Sequence, residues 1–295
     1  MLLASVATGC AAALAISTQA GAQDSATVAP TTPTVVSTPI HGTPSLHQTP
    51  TMTPAVLAQQ MQAAIQGISP GTEVGIEVAD LDTGAVLAGL NADRQFYTAS
   101  VVKLLIALDA LKSQGWQPVP DSAAEISAML STSDDNIADA LWDANGGDSI
   151  VDRMIETVGL TGTEPPADPA EWGETLTTAQ DVVAVYRYLT TTVPEPSRTI
   201  VLTALRDISQ ISADGTDQYF GIPDGLSDNS WAVKQGWMAL NTSTTLDTTG
   251  LVGPSSAAVL PYAVVVLTSQ GPGTSWATGG SALTAGITQL RSIIR

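Results

Sequence analysis

Residues 97–108 read Tyr97-Thr98-Ala99-Ser100-Val101-Val102-Lys103-Leu104-Leu105-Ile106-Ala107-Leu108. From Val101 onward the run is apolar all round a helical wheel except at Lys103, the mark of a helix buried on every face. The pattern predicts a helix from about Ala99 to Lys112, capped by Thr98, with Ser100 in its first turn. Ser100 and Lys103 lie three residues apart, so their side chains share a face. A lysine in a buried helix is costly unless it is paired or used. Desolvation lowers an amine's pKa, leaving part of it neutral and able to take a proton. A helix N-terminus also offers backbone N–H groups to a developing oxyanion. These are the needs of a serine nucleophile that works without histidine. Taken alone, the same residues also fit a capping serine beside a lysine that snorkels to water.

The rest of the chain supplies no histidine to do the work instead. In 295 residues there is one cysteine, Cys10, and two histidines, His41 and His47, all within the first 50. This excludes a Ser-His-Asp triad, a cysteine nucleophile, a disulfide framework and a zinc site built from His or Cys. Any base acting near neutral pH is therefore a carboxylate or one of three lysines: Lys103, Lys112 or Lys234. No metal or other cofactor is expected. Ten Lys+Arg against 28 Asp+Glu give a net charge of −18. That acidity argues against nucleic-acid partners and against docking on an anionic membrane.

Working outward, residues 1–22 carry no charge and run apolar from Leu2 to Ile16, and Ala20-Gly21-Ala22 has the small-x-small form of a signal-peptidase site. Export with cleavage after Ala22 is expected, with lipid attachment at Cys10 the lesser alternative. The missing n-region charge fits a misplaced start codon. Residues 23–54 are rich in Ser, Thr and Pro and read as a solvated linker that carries both histidines. The folded domain is expected over 55–295. Within it a helix is expected at Ala55–Ile68, strands at Glu73–Asp80 and Ala85–Leu90, then helices at Ser122–Leu130, Asn136–Ala144, Ser149–Val158, Thr178–Leu189 and Arg198–Ile208. Strands return at Trp231–Met238, Thr248–Val252 and Ala263–Ser269, and a helix at Ala282–Ile294 closes the chain. Strands first and last with helices between predict an α/β (α+β) fold. Its mixed, mainly antiparallel sheet is flanked by helices, with a helical subdomain inserted at about 98–208.

Two further segments stand out. Ser133-Asp134-Asp135-Asn136 precedes an amphipathic helix and reads by default as an N-cap cluster. Its acids lack EF-hand spacing, so calcium is not expected. Trp231-Ala232-Val233-Lys234-Gln235-Gly236-Trp237 puts a lysine on a strand otherwise fit for a core, where Lys234 and Gly236 share a face. Glycine there would let a ligand lie along the strand; an edge-strand lysine is the plainer reading.

In order, Ser100-x-x-Lys103, Ser133-Asp134-Asp135 and Lys234-Gln235-Gly236 resemble the S-x-x-K, S-D-N and K-T-G elements of class A β-lactamases and penicillin-binding D,D-peptidases. Phe96-Tyr97-Thr98-Ala99, Ala138 and the helix-opening Thr177-Thr178 are similar to the class A pattern too, most of all to its secreted actinobacterial branch. The resemblance spans about residues 55–295 and implies a β-lactamase-like fold. It implies that Ser100 is the acylated nucleophile, Lys103 its general base or a relay, and Ser133 the group that passes a proton to the leaving nitrogen. Lys234 would hold a substrate carboxylate and support Ser133. The backbone N–H groups of Ser100 and Trp237 would form the oxyanion hole, and Asp135, Gln235 and Gly236 would line the cleft.

The sequence departs from that pattern in four places. Asp135 stands where Asn is usual, Gln235 replaces a hydroxyl residue, and the Lys103-to-Ser133 gap is short. The deacylating glutamate has no clear counterpart, leaving Glu164, Glu171 and Glu174 as candidates. The resemblance implies a secreted, monomeric serine hydrolase acting on β-lactams or peptidoglycan stem peptides of the acyl-D-Ala-D-Ala type, without stable membrane insertion after processing. The competing reading is a non-catalytic cell-wall peptide-binding protein that keeps the fold.

Overall fold

The computed structural model describes residues 52–294. The expected signal peptide at 1–22, Cys10, both histidines and all but the last three residues of the expected linker lie outside the described residues. Helix α1 (Pro54–Ile68) is capped by Thr53, whose hydroxyl accepts from the Val56 N–H, so this helix starts within the stretch read as linker. Strands β1 (Glu73–Asp80) and β2 (Val86–Leu90) follow, joined by the expected turn, and then the short β3 (Gln95–Tyr97).

A 3-10 turn over Ala99–Val102 leads into α2 (Lys103–Ser113), then α3 (Pro120–Thr132), α4 (Asp135–Ala144) and α5 (Ser149–Val158). Strand β4 (Leu176–Thr178) pairs with β3. Helices α6 (Ala179–Thr191), α7 (Glu195–Arg206) and the single-turn α8 (Ile222–Gly225) precede strands β5 (Ser230–Ala239), β6 (Thr244–Gly253) and β7 (Tyr262–Gln270). Helix α9 (Trp276–Thr288) and a 3-10 turn at Gln289–Ser292 follow.

The main sheet has the order β2-β1-β7-β6-β5, with antiparallel neighbours throughout. Strands from the two ends of the domain therefore meet at the β1–β7 pair, as the strand-first, strand-last order predicted. The period of two is plain on β7. Val264 and Val266 face a core shared with Leu57, Met61 and Ile65 of α1 and Leu283 and Ile287 of α9. Ala263, Val265 and Leu267 face the other way, into the core built by α2 and α6. A sheet covered on both faces is the reason β7 reads as an unbroken apolar run. Helix α2 is buried from Lys103 through Leu111, and each fully buried Leu there contributes roughly 1.5–3 kcal/mol.

Three expectations change. Thr98 does not cap α2: it is helical itself, and its hydroxyl instead donates to the Gly173 carbonyl at 3.4 Å. The last helix starts six residues earlier than expected, because Ser275 caps it by accepting from the Thr278 N–H. Strands β3 and β4 had no sequence signal, since three residues are too few for alternation to register.

Candidate active site

The site forms where the 3-10 turn before α2, the end of α3, the start of α4 and strand β5 meet. The Ser100 hydroxyl accepts a hydrogen bond from Lys103 Nζ at 3.0 Å, the i to i+3 contact read from the sequence. Lys103 Nζ also donates to the Ser133 carbonyl (2.8 Å), the Ser133 hydroxyl (3.3 Å) and Asp135 Oδ1 (2.5 Å). Lys234 Nζ reaches the same Ser133 hydroxyl at 2.9 Å and its neighbour's carbonyl, Gln235 O, at 2.9 Å. The Ser133 hydroxyl is thus bridged by both amines. The four residues are almost wholly buried, at 5% (Ser100), 0% (Lys103), 3% (Ser133) and 1% (Lys234) exposure.

Backbone strain sits at both serines. Ser133 ends α3 at φ 55°, ψ 39°, and Ala99 before the other serine has φ 41°. A non-glycine residue held there costs of order 1–3 kcal/mol and persists only where its surroundings enforce it. At Ser133 the enforcement comes from the loop before β5. The Ala213 N–H donates to the Thr132 carbonyl (2.8 Å), and the Ser209 N–H and Gln218 amide both donate to the Ser131 carbonyl (3.0 and 3.1 Å). Asp134 then starts α4 as the expected N-cap, accepting from the Asn136 and Ile137 N–H groups.

Burial is the main force on the amines. It pulls the Lys103 pKa below the ordinary lysine value, against the raising pull of the adjacent Asp135 carboxylate. It pulls Lys234 well below that value, with repulsion from Lys103 adding to the effect.

Above this buried network lies a cleft of about 340 Å³ onto which Ser100 opens. Asp135 and Trp237 line it, as expected. Gln235 and Gly236 do not. The Gln235 amide turns to the opposite face of β5 and donates to the Gln218 (3.1 Å) and Phe220 (2.6 Å) carbonyls, so it ties the strand to the loop that positions Ser133. A Cβ at Gly236 would lie 2.8 Å from the Thr98 carbonyl. The glycine lets the turn that bears Ser100 pack on the strand, leaving no room there for a ligand. Lys234 does not line the cleft either; its amine is spent on Ser133 and a carbonyl.

Of the three candidate glutamates only Glu171 faces the cleft. Glu164 accepts from the Gln95 amide, and its backbone pairs with Leu176 to close the base of the loop that carries Glu171. Trp142 Nε1 pins that loop by donating to the Pro169 carbonyl at 2.9 Å. The sequence reading missed Asp139, Trp172, Asp214 and Met238, all of which line the cleft. Trp172 lies over the Lys103 ammonium, 4.9 Å from ring centre to nitrogen, and its Nε1 donates to Asp139 Oδ1 at 2.7 Å. Trp237 Nε1 donates to Asp214 Oδ2 at 2.9 Å.

Comparison with known proteins bears on the whole arrangement. Residues 56–114, which include Ser100 and Lys103, match the Beta-lactamase enzyme family. The mycobacterial protein named "Putative lipoprotein LppW", from Mycobacterium tuberculosis and Mycobacterium bovis, is 33% identical over 200 residues, covering 65% of this chain and 63% of that protein. The match thus spans less than two thirds of the relative. A β-lactamase from Chitinophaga pinensis shares the fold at a TM-score of 0.62 and 17% identity, covering 79% of this chain and 97% of that one. PBP-A, solved as a point mutant in an acyl-enzyme complex with penicillin G, shares it at 0.62 and 18% identity, covering 80% and 95%. The chain thus has the fold of serine β-lactamases and penicillin-binding proteins, and its residues 56–114 are similar to the Beta-lactamase enzyme family.

Proposed function

We propose that the chain is an exported serine hydrolase that takes an acyl group onto Ser100 from an amide; the motifs by themselves imply the β-lactam or acyl-D-Ala-D-Ala type. The observation that carries this is the double bridge: one amine 3.0 Å from the Ser100 hydroxyl, and a second serine hydroxyl shared by that amine and Lys234. Neutral Lys103 takes the Ser100 proton as Oγ attacks the carbonyl carbon. The C–N bond breaks, and the Ser133 hydroxyl gives its proton to the leaving nitrogen, drawing a replacement from the lysines it bridges. The backbone N–H groups of Ser100 and Trp237 receive the oxyanion. Water then clears the acyl-enzyme with Glu171 as base, the one candidate glutamate on the cleft.

Intact-mass spectrometry of the chain with a fluorophosphonate and with a fluorescent penicillin tests this reading. A covalent adduct on Ser100, lost in Ser100→Ala, is expected from both, with the penicillin adduct slow to form and slow to clear. Absence of any adduct would refute it. The Asp135 carboxylate on Lys103 favours a second reading, a non-catalytic binding protein, because an ion pair holds the amine in its protonated form. Kinship with a protein named as a lipoprotein supports placement at the cell surface, with Cys10 as the residue to test by mass for an attached lipid.

A further inference from the structure

The charges around the nucleophile are arranged for a substrate unlike the one the motifs imply. β-Lactams and acyl-D-Ala-D-Ala peptides both present a carboxylate. Here the cleft is lined by four carboxylates, Asp135, Asp139, Glu171 and Asp214, and, among the described residues, by no lysine or arginine. The two amines nearby are buried in the floor itself. Lys103 is ion-paired to Asp135, and Lys234 is 1% exposed and bonded to Ser133 and a carbonyl. An incoming carboxylate meets like charges at the rim and only these engaged amines below it. The acidity extends further, because Asp214 also lines a neighbouring hollow of about 620 Å³ beside Asp217 and Asp224.

Two features show that this is a built recognition surface centred on the nucleophile. Each wall pairs an indole with a carboxylate, Trp172 with Asp139 and Trp237 with Asp214, and each ring already lies against a buried amine, Lys103 at 4.9 Å and Lys234 at 5.8 Å, so rings that accept cations are held beside negative charge. That combination suits an organic cation, which an indole face attracts and a carboxylate neutralises. Between the walls, Ser100 is 5% exposed, and its hydroxyl bonds to Lys103 alone among the described residues, leaving it free to meet a ligand. Among the described residues no three of the acids converge as a metal's ligands would.

We propose that the Ser100 cleft selects amides or esters bearing an ammonium or guanidinium group, and disfavours those that present a carboxylate. This rests on the reading of Ser100 as the nucleophile for its chemical step, but the charge preference is a property of binding and can be measured without that step.

The test uses the full chain carrying Ser100→Ala, titrated with two matched neutral-core amides, (4-acetamidobutyl)trimethylammonium and 5-acetamidopentanoate. Binding is followed by NMR at the indole N–H resonances of Trp172 and Trp237. The ammonium probe should bind tighter by about tenfold or more at low salt, with the difference shrinking in 0.5 M salt. Adding Asp139→Asn and Asp214→Asn should remove most of the preference; asparagine keeps an acceptor for each indole, so the walls stay braced. Equal or tighter binding of the carboxylate probe, no binding by either probe, or a preference untouched by the two asparagines would overturn the proposal. Fluorophosphonate labelling of the wild-type chain separates the two ideas. Labelling of Ser100 with a carboxylate preference defeats this inference alone. A cation preference without labelling defeats the hydrolase reading and leaves a binding site for cationic peptides.

Discussion

The floor of the site and its rim are built on opposite principles. The floor has four almost wholly buried side chains, two of them amines, each held by short hydrogen bonds and set on or next to regular elements. The rim is acidic, water-facing and carried partly by loops: the Asp135 side chain is 57% exposed, and Glu171 and Asp214 are exposed as well. Desolvation tunes the floor, where burial foremost pushes both lysines toward their neutral forms. Fixed charge shapes the rim. Partial burial pushes the Asp214 carboxyl up, but hydrogen bonds donated by Ser212, Thr216 and Trp237 together hold it below the usual range. On the proposed reading, the floor determines whether a bond is cut, and the rim which molecule arrives.

The division breaks most sharply at Lys103. Replacing it by Ala should remove about 10²–10⁴ of the labelling rate at Ser100 by a neutral fluorophosphonate, the worth of a general base. Labelling at near wild-type speed would mean that the floor does not do the proton transfer. At the rim, Glu171→Gln should leave acylation intact and slow release of the acyl group by about 10² or more. Persistence of a penicillin adduct by intact mass checks this, and unchanged release would return Glu171 to a purely electrostatic part.

Asp135 belongs to both regions, so it sharpens the contrast. Its carboxylate favours the Lys103 ammonium. Asp135→Asn removes that pull, so the Lys103 pKa should fall further and the neutral fraction at pH 7 should rise. Acylation, which needs the neutral amine, then gains up to about tenfold for every pH unit by which that pKa falls. The acid limb of its pH profile should move to lower pH; a limb that moves up, or stays, contradicts the sign.

The smallest effect concerns a carboxyl under the floor. Asp247 on β6 is fully buried opposite Gly236, and burial raises its pKa well above the ordinary 3.8, although the Thr268 N–H donates to it. The folded chain keeps a proton there that the unfolded chain releases, so stability should fall as pH rises from 3.8 toward the raised value. Asp247→Asn should flatten this dependence and raise the melting temperature at neutral pH by about 2–4 °C, the effect of each kcal/mol for a chain of this size. An unchanged pH slope would show that Asp247 is ionised in the fold.

The same contrast explains how much of the molecule was legible in its sequence. The Ser100–Lys103 pair needs only helical spacing, and Ser133 and Lys234 followed from the order of short motifs. Strand alternation correctly put Lys234 and Gly236 on one face, but it could not show that this face is covered by the turn that bears Ser100. Gln235 was misplaced for the same reason, since its role depends on a loop 15 residues or more upstream. Asp139 follows Asp135 by one helical turn and was within reach of an i, i+4 reading. Asp214 sits in a loop with no periodicity, and only the fold brings it beside Trp237.

Gly236 has one more consequence. With no side chain between them, the turn that bears Ser100 rests directly on the peptide plane of β5. Its location is therefore registered against hydrogen-bonded backbone, which has no rotamers to sample, in a strand clamped along its whole length to β6. On the proposed reading, the place where an acyl group is taken up is thus fixed by backbone, while the charges that would choose its donor are carried by side chains at the rim.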